Sequence, residues 1–573
     1  MFSRKRSSFI PVPLLLPVLA ASLSMSCTTY SSTLVAGHLT SSSGYPVADF
    51  DSKCSSIASQ LNSSIPNATV RFAELVTQGT NITFTDSDRD PSCIAQPFFL
   101  PASLIVRADI CRISLDVQTS ERSGIHMETW LPRNWTGRFL STGNGGLGGC
   151  IQFADMAYTS SLGFATVGAN NGHDGFSGRP FLNNSDVLED FAYRSVHTGV
   201  VLGKEITKTF YGHEHTKSYF LGCSTGGRQG LKSIQDFPED FDGVVAGAPA
   251  NQVKLMDDFS YIFSLTGTPD ASSFVPKEAW VNIVHPDLLK QCDKVIDGVE
   301  DGIIEDPHLC NYDPSGIVCS GDSNATSCIT PEQADTVRKV FSPFFIGDEF
   351  IFPRLVPGSE TGDGLRSVLA GDVAPFSVDW FKFVVNSDPN LDAKTLGPSD
   401  WKKCIAQDPF NISTFKGDIS AFKNRGGKLL SYHGQVDSLI SPESSEIYYD
   451  HVSSTMDLST SQMDDFYRHF RISGMFHCFT GPGAWNVGQG LLGDTSPGSD
   501  YTDPEKNILM ATVRWVEEGT APETIEGTKF VNDTNSLGVE FSRKHCRFPL
   551  RNTYDGVGDS TKPESWSCQP VSD

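Results

Sequence analysis

Gly222-Cys223-Ser224-Thr225-Gly226 decides the reading of this chain. It is a G-x-S-x-G pentapeptide. The run Ser218-Tyr219-Phe220-Leu221 before it predicts a strand, and the segment beginning Gly227-Arg228-Gln229-Gly230-Leu231-Lys232 predicts a helix. A sharp strand-to-helix turn with small flanking residues is what exposes a serine hydroxyl as a nucleophile. Alone, the pentapeptide is weak in a Gly- and Ser-rich chain; its flanks strengthen it. Cys223 directly precedes the serine, and far downstream Cys478 directly follows His477. If those cysteines are bonded, nucleophile and base are tied together.

Outward from the elbow, Arg112–Val117 and Gly124–Leu131 alternate like adjacent antiparallel strands. Arg138–Thr142 and Phe164–Gly168 are short apolar strands, a helix pattern runs from Val187 to about Phe210, and Phe241–Gly247 is a further strand. Short apolar strands alternating with helices predict a mostly parallel sheet covered on both faces. From about Asn251 to Lys423 strand alternation is lost and Pro and Gly are frequent. The sheet pattern resumes at Gly427-Lys428-Leu429-Leu430-Ser431-Tyr432-His433. The expected architecture is an α/β-hydrolase fold built from residues 51–250 and 426–573, with 251–425 inserted as a lid domain.

The chain has 573 residues, 39% of them hydrophobic and 20% charged, enough for a large core. Its formal charge of −24 argues against nucleic acid and anionic membrane as partners, because phosphate binding needs clustered Lys and Arg. Arg4, Lys5 and Arg6 followed by the apolar run Phe9–Ala21 form a secretory signal pattern, read as residues 1–21, too short to span a bilayer. Residues 22–50 are Ser/Thr-rich and expected to be flexible. Fourteen cysteines in a secreted chain indicate disulfides. N-x-S/T sequons stand at Asn62, Asn67, Asn81, Asn134, Asn183, Asn324, Asn411 and Asn532, which fits a eukaryotic secretory route.

A serine hydroxyl needs a base, and the base needs an acid to fix its tautomer. In the hydrolase order of Ser, acid, His, the acid is Asp437, in the loop past a strand, and the base is His477. His433 is the competing base, but it is expected at the strand end beside Asp437. The oxyanion donors are the N–H of Thr225 and an N–H from the loop Gly143-Asn144-Gly145-Gly146-Leu147-Gly148-Gly149, at Gly145 or Gly146. That loop lacks the Lys-Ser/Thr ending of a phosphate loop.

Together these residues resemble the tannase and feruloyl esterase family of fungal secreted esterases, and within it the feruloyl esterase B type. The matching stretches are Leu131–Phe139, Ser141–Gly146, Phe191–His197, Leu221–Gln229 and Gly426–Gly434. The resemblance covers about Asp51 to Cys568. It implies a Cys223–Cys478 bond beside Ser224 and His477, and the further pairs Cys54–Cys111, Cys93–Cys150, Cys292–Cys310, Cys319–Cys328 and Cys546–Cys568. Cys27 and Cys404 are left without a partner. Phe476 departs from the small residue usual before the histidine, which puts the pocket wall beside His477 in question. The resemblance also implies structural calcium in the lid, bound by the side chains of Asp293, Asp297 and Asp301 and the carbonyls of Val299 and Ile303. Closely spaced aspartates and carbonyls suit a cation that takes six to eight oxygens. This run has one more residue between its first two aspartates than the common pattern, which leaves Asp293 the weakest of these ligands.

The function so implied is hydrolysis of hydroxycinnamoyl esters (feruloyl, p-coumaroyl, caffeoyl) of plant cell-wall polysaccharides such as xylan. A tannase acting on galloyl esters is the alternative within the family, and the triad does not separate the two. A non-catalytic binding protein on the same fold would be expected to lack the nucleophile or base. A serine carboxypeptidase would not need the cysteine-flanked pair.

Overall fold

The computed structural model describes residues 49–85, 89–95, 102–320, 327–490 and 501–570. The leader reading, nearly all of the Ser/Thr-rich segment, Cys27 and Asn324 lie outside them.

The core is a nine-stranded sheet. In chain order its strands are β1 (Ala68–Val76), β2 (Ile110–Gln118), β3 (Gly124–Pro132), β4 (Arg138–Thr142), β5 (Ala165–Ala169), β6 (Lys217–Cys223), β7 (Gly243–Gly247), β8 (Lys428–Gly434) and β9 (Tyr467–Ile472). Across the sheet they run β1-β2-β3-β5-β4-β6-β7-β8-β9. The first three strands pair antiparallel, β3 joins β5 antiparallel, and every pair from β5 to β9 is parallel.

Strands β6, β7 and β8 are buried on both faces, so their sequences are mostly apolar, with Ser218, Ser431 and His433 among the polar exceptions. Successive side chains still point to opposite faces. Phe220, Val244 and Leu429 enter one apolar cluster, while Tyr219, Leu221, Val245 and Leu430 enter the other. Helices α1 (Phe50–Ser64), α2 (Phe153–Ser161), α3 (Ser195–Tyr211), α4 (Thr225–Asp236), α5 (Lys254–Thr266), α6 (His285–Asp297), α7 (Glu443–Thr455) and α8 (Ile508–Glu518) include the two layers that cover these faces. Helices α1, α3, α4 and α7 contribute to the first cluster, and α2 and α8 to the second.

The helix expected from Val187 to Phe210 is present but locally widened. Residues Asp190–Arg194 form a π-helical turn between Ser185–Glu189 and α3. The buried Arg228 guanidinium donates to the carbonyls of Phe191 (3.0 Å) and Ala192 (2.8 Å) in that turn. Carbonyls that the wider turn displaces are thus satisfied from α4.

Residues 251–425 connect β7 to β8, which are neighbours in the sheet. The segment has a core of its own, including Trp280, Val284, Leu288, Ile329 and Val337. It also contains a hairpin, Phe344–Ile346 paired with Glu349–Phe352, where the sequence shows no strand alternation. The strands are too short to display a period, and the turn at Gly347, with φ of 67°, is their clearest signal.

Helix α5 buries Asp257 completely. Neither carboxylate oxygen has a hydrogen-bond partner of ordinary geometry, and the Cys404 thiol is its polar neighbour. Burial pushes its pKa up to about 8. The unfolded chain ionises this group near 4, so between these values the folded state holds the extra proton, and stability falls as pH rises through that window. At about 1.4 kcal/mol per pKa unit, the loss between pH 5 and 8 is on the order of 2–4 kcal/mol. Burial raises the pKa values of Asp258 and Asp297 in the same direction, so Asp257→Asn is expected to make the decline of melting temperature across pH 5 to 8 shallower, not to abolish it. An equal decline in variant and wild type, by calorimetry, would refute this.

Candidate active site

Strand β6 ends at Cys223 and α4 begins at Thr225, leaving Ser224 alone in the turn. Its backbone sits at φ 64°, ψ −123°, a conformation that costs roughly 1–3 kcal/mol for a non-glycine residue. Gly222 explains the first flank of the motif: a Cβ there would lie 2.8 Å from the backbone of Gly226. The turn is held by Ser224 N–H donating to the Gly247 carbonyl (3.0 Å) at the end of β7.

Asp437 lies in the loop after β8 and is fully buried. His477 donates from Nδ1 to Asp437 Oδ2 at 2.7 Å. Oδ1 of the same carboxylate accepts the N–H groups of Leu439 (2.7 Å) and Ile440 (2.9 Å). His477 Nε2 has no hydrogen-bond partner, and His477 and Ser224 line one cavity. Neutral imidazole with Nδ1–H bound presents Nε2 as a free lone pair, the form a general base requires.

His433, the competing base, lies near the end of β8 beside Asp437. It is completely buried and absent from the cavity wall. Its Nε2–H donates to Asp437 Oδ2 (3.1 Å) and to the Ile440 carbonyl (3.0 Å), and its Nδ1 accepts from the Ser445 hydroxyl (2.8 Å). Asp437 thus receives two imidazole and two amide donors. Burial alone would raise its pKa, but His477 and His433 outweigh that and hold it far below the ordinary carboxylate range.

The structure forms the disulfides Cys54–Cys111, Cys93–Cys150, Cys223–Cys478, Cys292–Cys310, Cys319–Cys328 and Cys546–Cys568. Cys404 is free and buried. Cys223 and Cys478 are 255 residues apart in sequence, with their Cα atoms at 6.1 Å.

Thr225 is the first residue of α4, where an N–H has no intrahelical acceptor. Its hydroxyl donates to the Gly146 carbonyl (2.6 Å), tying the glycine-rich loop to the elbow. Of the two glycines expected to supply the second donor, Gly145 lines the cavity and Gly146 does not. Gly146 has φ of 58°, and a Cβ there would meet the Phe376 and Phe176 rings at 2.7 and 2.8 Å.

Two residues that sequence reasoning passed over fix this loop. Asn144 N–H donates to Gln229 Oε1 (2.9 Å), while Gln229 Nε2 donates to Asn144 Oδ1 (3.1 Å) and Asn171 Oδ1 (2.9 Å). The presence of Asn144 and Gln229 in the two glycine motifs was the available signal.

The cavity holds about 290 Å³. Phe176, Phe376, Leu439 and Phe479 make its walls largely apolar. Thr361, Asp363 and Phe376 bring the inserted segment to its rim. Gln152 is buried in the wall, and its Oε1 has no partner.

The expected calcium run spans the end of α6 and the loop after it. Asp293 Oδ2 accepts from Gly302 N–H (2.9 Å), Asp297 Oδ1 from Val299 N–H (2.8 Å) and Asp301 Oδ1 from Ile303 N–H (3.1 Å). Asp301 Oδ2 is paired with Arg543 (2.8 Å). Asp293 Oδ1 and Asp297 Oδ2 are buried without a partner, and burial pushes the Asp297 pKa up to about 7. Among the described residues no group of three or more His, Cys, Asp or Glu side chains is placed to hold an ion unaided.

The family described as "Tannase and feruloyl esterase" matches residues 110–348 and 375–569. The chain belongs to the tannase and feruloyl esterase family. One relative, a probable feruloyl esterase B-2 of Aspergillus oryzae, is 49% identical over 525 residues, covering 91% of this chain and 95% of its own. Two solved family structures align over 91% of this chain and all of theirs. They are an esterase from Aspergillus oryzae (49% identity, TM-score 0.86) and feruloyl esterase B from Aspergillus oryzae (46%, 0.85). The mostly parallel sheet, with Ser224 at the turn between β6 and α4, is an α/β-hydrolase architecture.

Proposed function

We propose that this chain is a serine esterase that hydrolyses hydroxycinnamoyl esters of plant cell-wall polysaccharides through an acyl-enzyme. The observation that carries the reading is the Ser224, His477 and Asp437 set: two of the three face one apolar cavity and the third holds the base. Ser224 Oγ attacks the ester carbonyl as His477 Nε2 takes its proton. The tetrahedral oxyanion is received by the N–H groups of Thr225 and Gly145. Collapse expels the alcohol, which takes the proton from His477 and leaves an acyl-serine. Water, deprotonated by His477, then releases the acid and restores Ser224. Asp437 stays ionised throughout and stabilises the imidazolium.

The phenylalanine-lined walls suit an aromatic acyl group, and the unpartnered Gln152 Oε1 suits a phenolic hydroxyl. The relatives at 46–49% identity carry feruloyl esterase names, which favours hydroxycinnamoyl over galloyl esters. The test is a comparison of kcat/KM on methyl ferulate, methyl caffeate, methyl p-coumarate and methyl gallate. The three hydroxycinnamates are expected to exceed the gallate; the reverse order would make this chain a tannase.

We read residues 251–425 as a lid domain, because they carry their own core and reach the cavity rim. Secretion is supported by six disulfides, and no described helix is long and apolar enough to cross a membrane. The sequon asparagines at positions 62, 67, 81, 134, 183, 411 and 532 are all exposed, as carbohydrate acceptors need to be.

The Asp293–Ile303 loop is the proposed calcium site. Two buried carboxylate oxygens without partners are costly unless a cation joins them. Asp293 and Asp297, then Asp301 Oδ1 and the carbonyls of Val299 and Ile303, would hold it in a structural role. Chelation is expected to lower the melting temperature by several degrees while changing initial rates little. Purified protein with no calcium by elemental analysis would remove this reading.

A further inference from the structure

A second cavity of about 360 Å³ adjoins the first. Its walls include Leu289, Ile304, Val436 and Pro482, with His285 as its main polar group. Two residues, Thr361 and Phe476, line both cavities. Phe476 directly precedes His477, and its N–H donates to the Thr480 carbonyl (3.0 Å), so its backbone is fixed by the loop that carries the base. Its ring reaches across to the inserted segment, where Cδ1 lies 3.1 Å from the point a Cβ would occupy on Gly362. The missing side chain of Gly362 leaves room for the Ser438 side chain and, beside it, for the Phe476 ring.

We propose that Phe476 is the partition between two subsites, and that it sets the size of the acyl group this chain accepts. The inference rests on the esterase reading above. The first cavity lies at the lower bound of sites for small organic ligands, roughly 300–1,000 Å³, which suits one aryl ring and its ester arm. The second is mostly apolar and suits a second aryl ring. With the ring of Phe476 in place, an acid made of two linked hydroxycinnamate units cannot lay one ring in each cavity. Without it, the two spaces join beside Ser224 and such an acid fits.

The experiment compares wild type, Phe476→Ala and Phe476→Trp on methyl ferulate and on the dimethyl ester of a dehydrodiferulic acid. Free dehydrodiferulic acid is also titrated calorimetrically, which needs no turnover. Phe476→Ala is expected to raise the ratio of kcat/KM for the two-ring ester over the one-ring ester at least tenfold, and to tighten binding of the two-ring acid by a similar factor. Phe476→Trp is expected to raise neither. An unchanged ratio and unchanged binding in folded Phe476→Ala overturn the proposal. A wild type inert on every aryl ester would sink the esterase reading instead, and the titration would still decide the partition. If the alanine variant does not fold, Phe476→Leu replaces it, with a smaller shift of the same sign expected.

Discussion

Ser224→Ala is expected to lower kcat on methyl ferulate by at least four orders of magnitude with the fold retained. Three features set that size. The hydroxyl is the one nucleophile at the elbow, and the left-handed backbone of Ser224 is maintained at a cost that a purely structural serine would not justify. His477 Nε2 has no other group to take a proton from. What remains in the variant is oxyanion stabilisation and binding, which leave some acceleration over water but no acyl-enzyme. Alanine is smaller than serine and keeps the same backbone, so melting temperature should change by no more than a few degrees. A folded variant within tenfold of wild type would show that another group carries the chemistry.

The second large effect is expected from removing the Cys223–Cys478 bond. Ser224 and Cys478 both have positive φ, 64° and 66°. Neither conformation is one a non-glycine residue adopts freely, so each persists because its surroundings impose it. The disulfide is the shared restraint: it joins the residue before the nucleophile to the residue after the base. Cys223→Ala/Cys478→Ala should therefore lower kcat about a hundredfold through misplacement of His477, with a smaller change in KM. It should also lose about 2–4 kcal/mol of stability. Steady-state kinetics of the double variant separate the two effects. An unchanged kcat beside a reduced melting temperature would leave the bond a structural brace only.

The parts of this site legible in the sequence are those whose geometry is local. The elbow needs small residues around one serine, and glycines at 222 and 226 announce it. Strands β6, β7 and β8 announce themselves because burial on both faces demands mostly apolar runs. Strands β1 and β9, by contrast, lie at the edges, and their residues mix apolar and charged types, as in Tyr467-Arg468-His469-Phe470-Arg471-Ile472. Edge burial is decided by what packs there, which a period does not encode. His433 is legible only in its place beside Asp437, for a related reason. Its neighbour Asp437 is visible in the sequence, but Ser445 and the Ile440 carbonyl take up its ring nitrogens only in the folded loop. The second cavity belongs to the same class: its walls come from the insertion, α6 included, and from the loops after β8 and β9.

The insertion between β7 and β8 also bears on how the chain reaches this state. These strands are hydrogen-bonded neighbours, seventh and eighth of nine across the sheet, yet the ribosome delivers them with roughly 180 residues between, a closure whose entropic cost grows only slowly with length but which delays the pairing. Until β8 emerges, β7 presents an unpaired apolar edge, and α4 rests on a sheet that lacks its last two strands. The nascent chain is thus most exposed to aggregation while the insertion is being made. An insertion with its own core, able to collapse before β8 arrives, shortens the effective distance between the two strands and so the time that edge stays open.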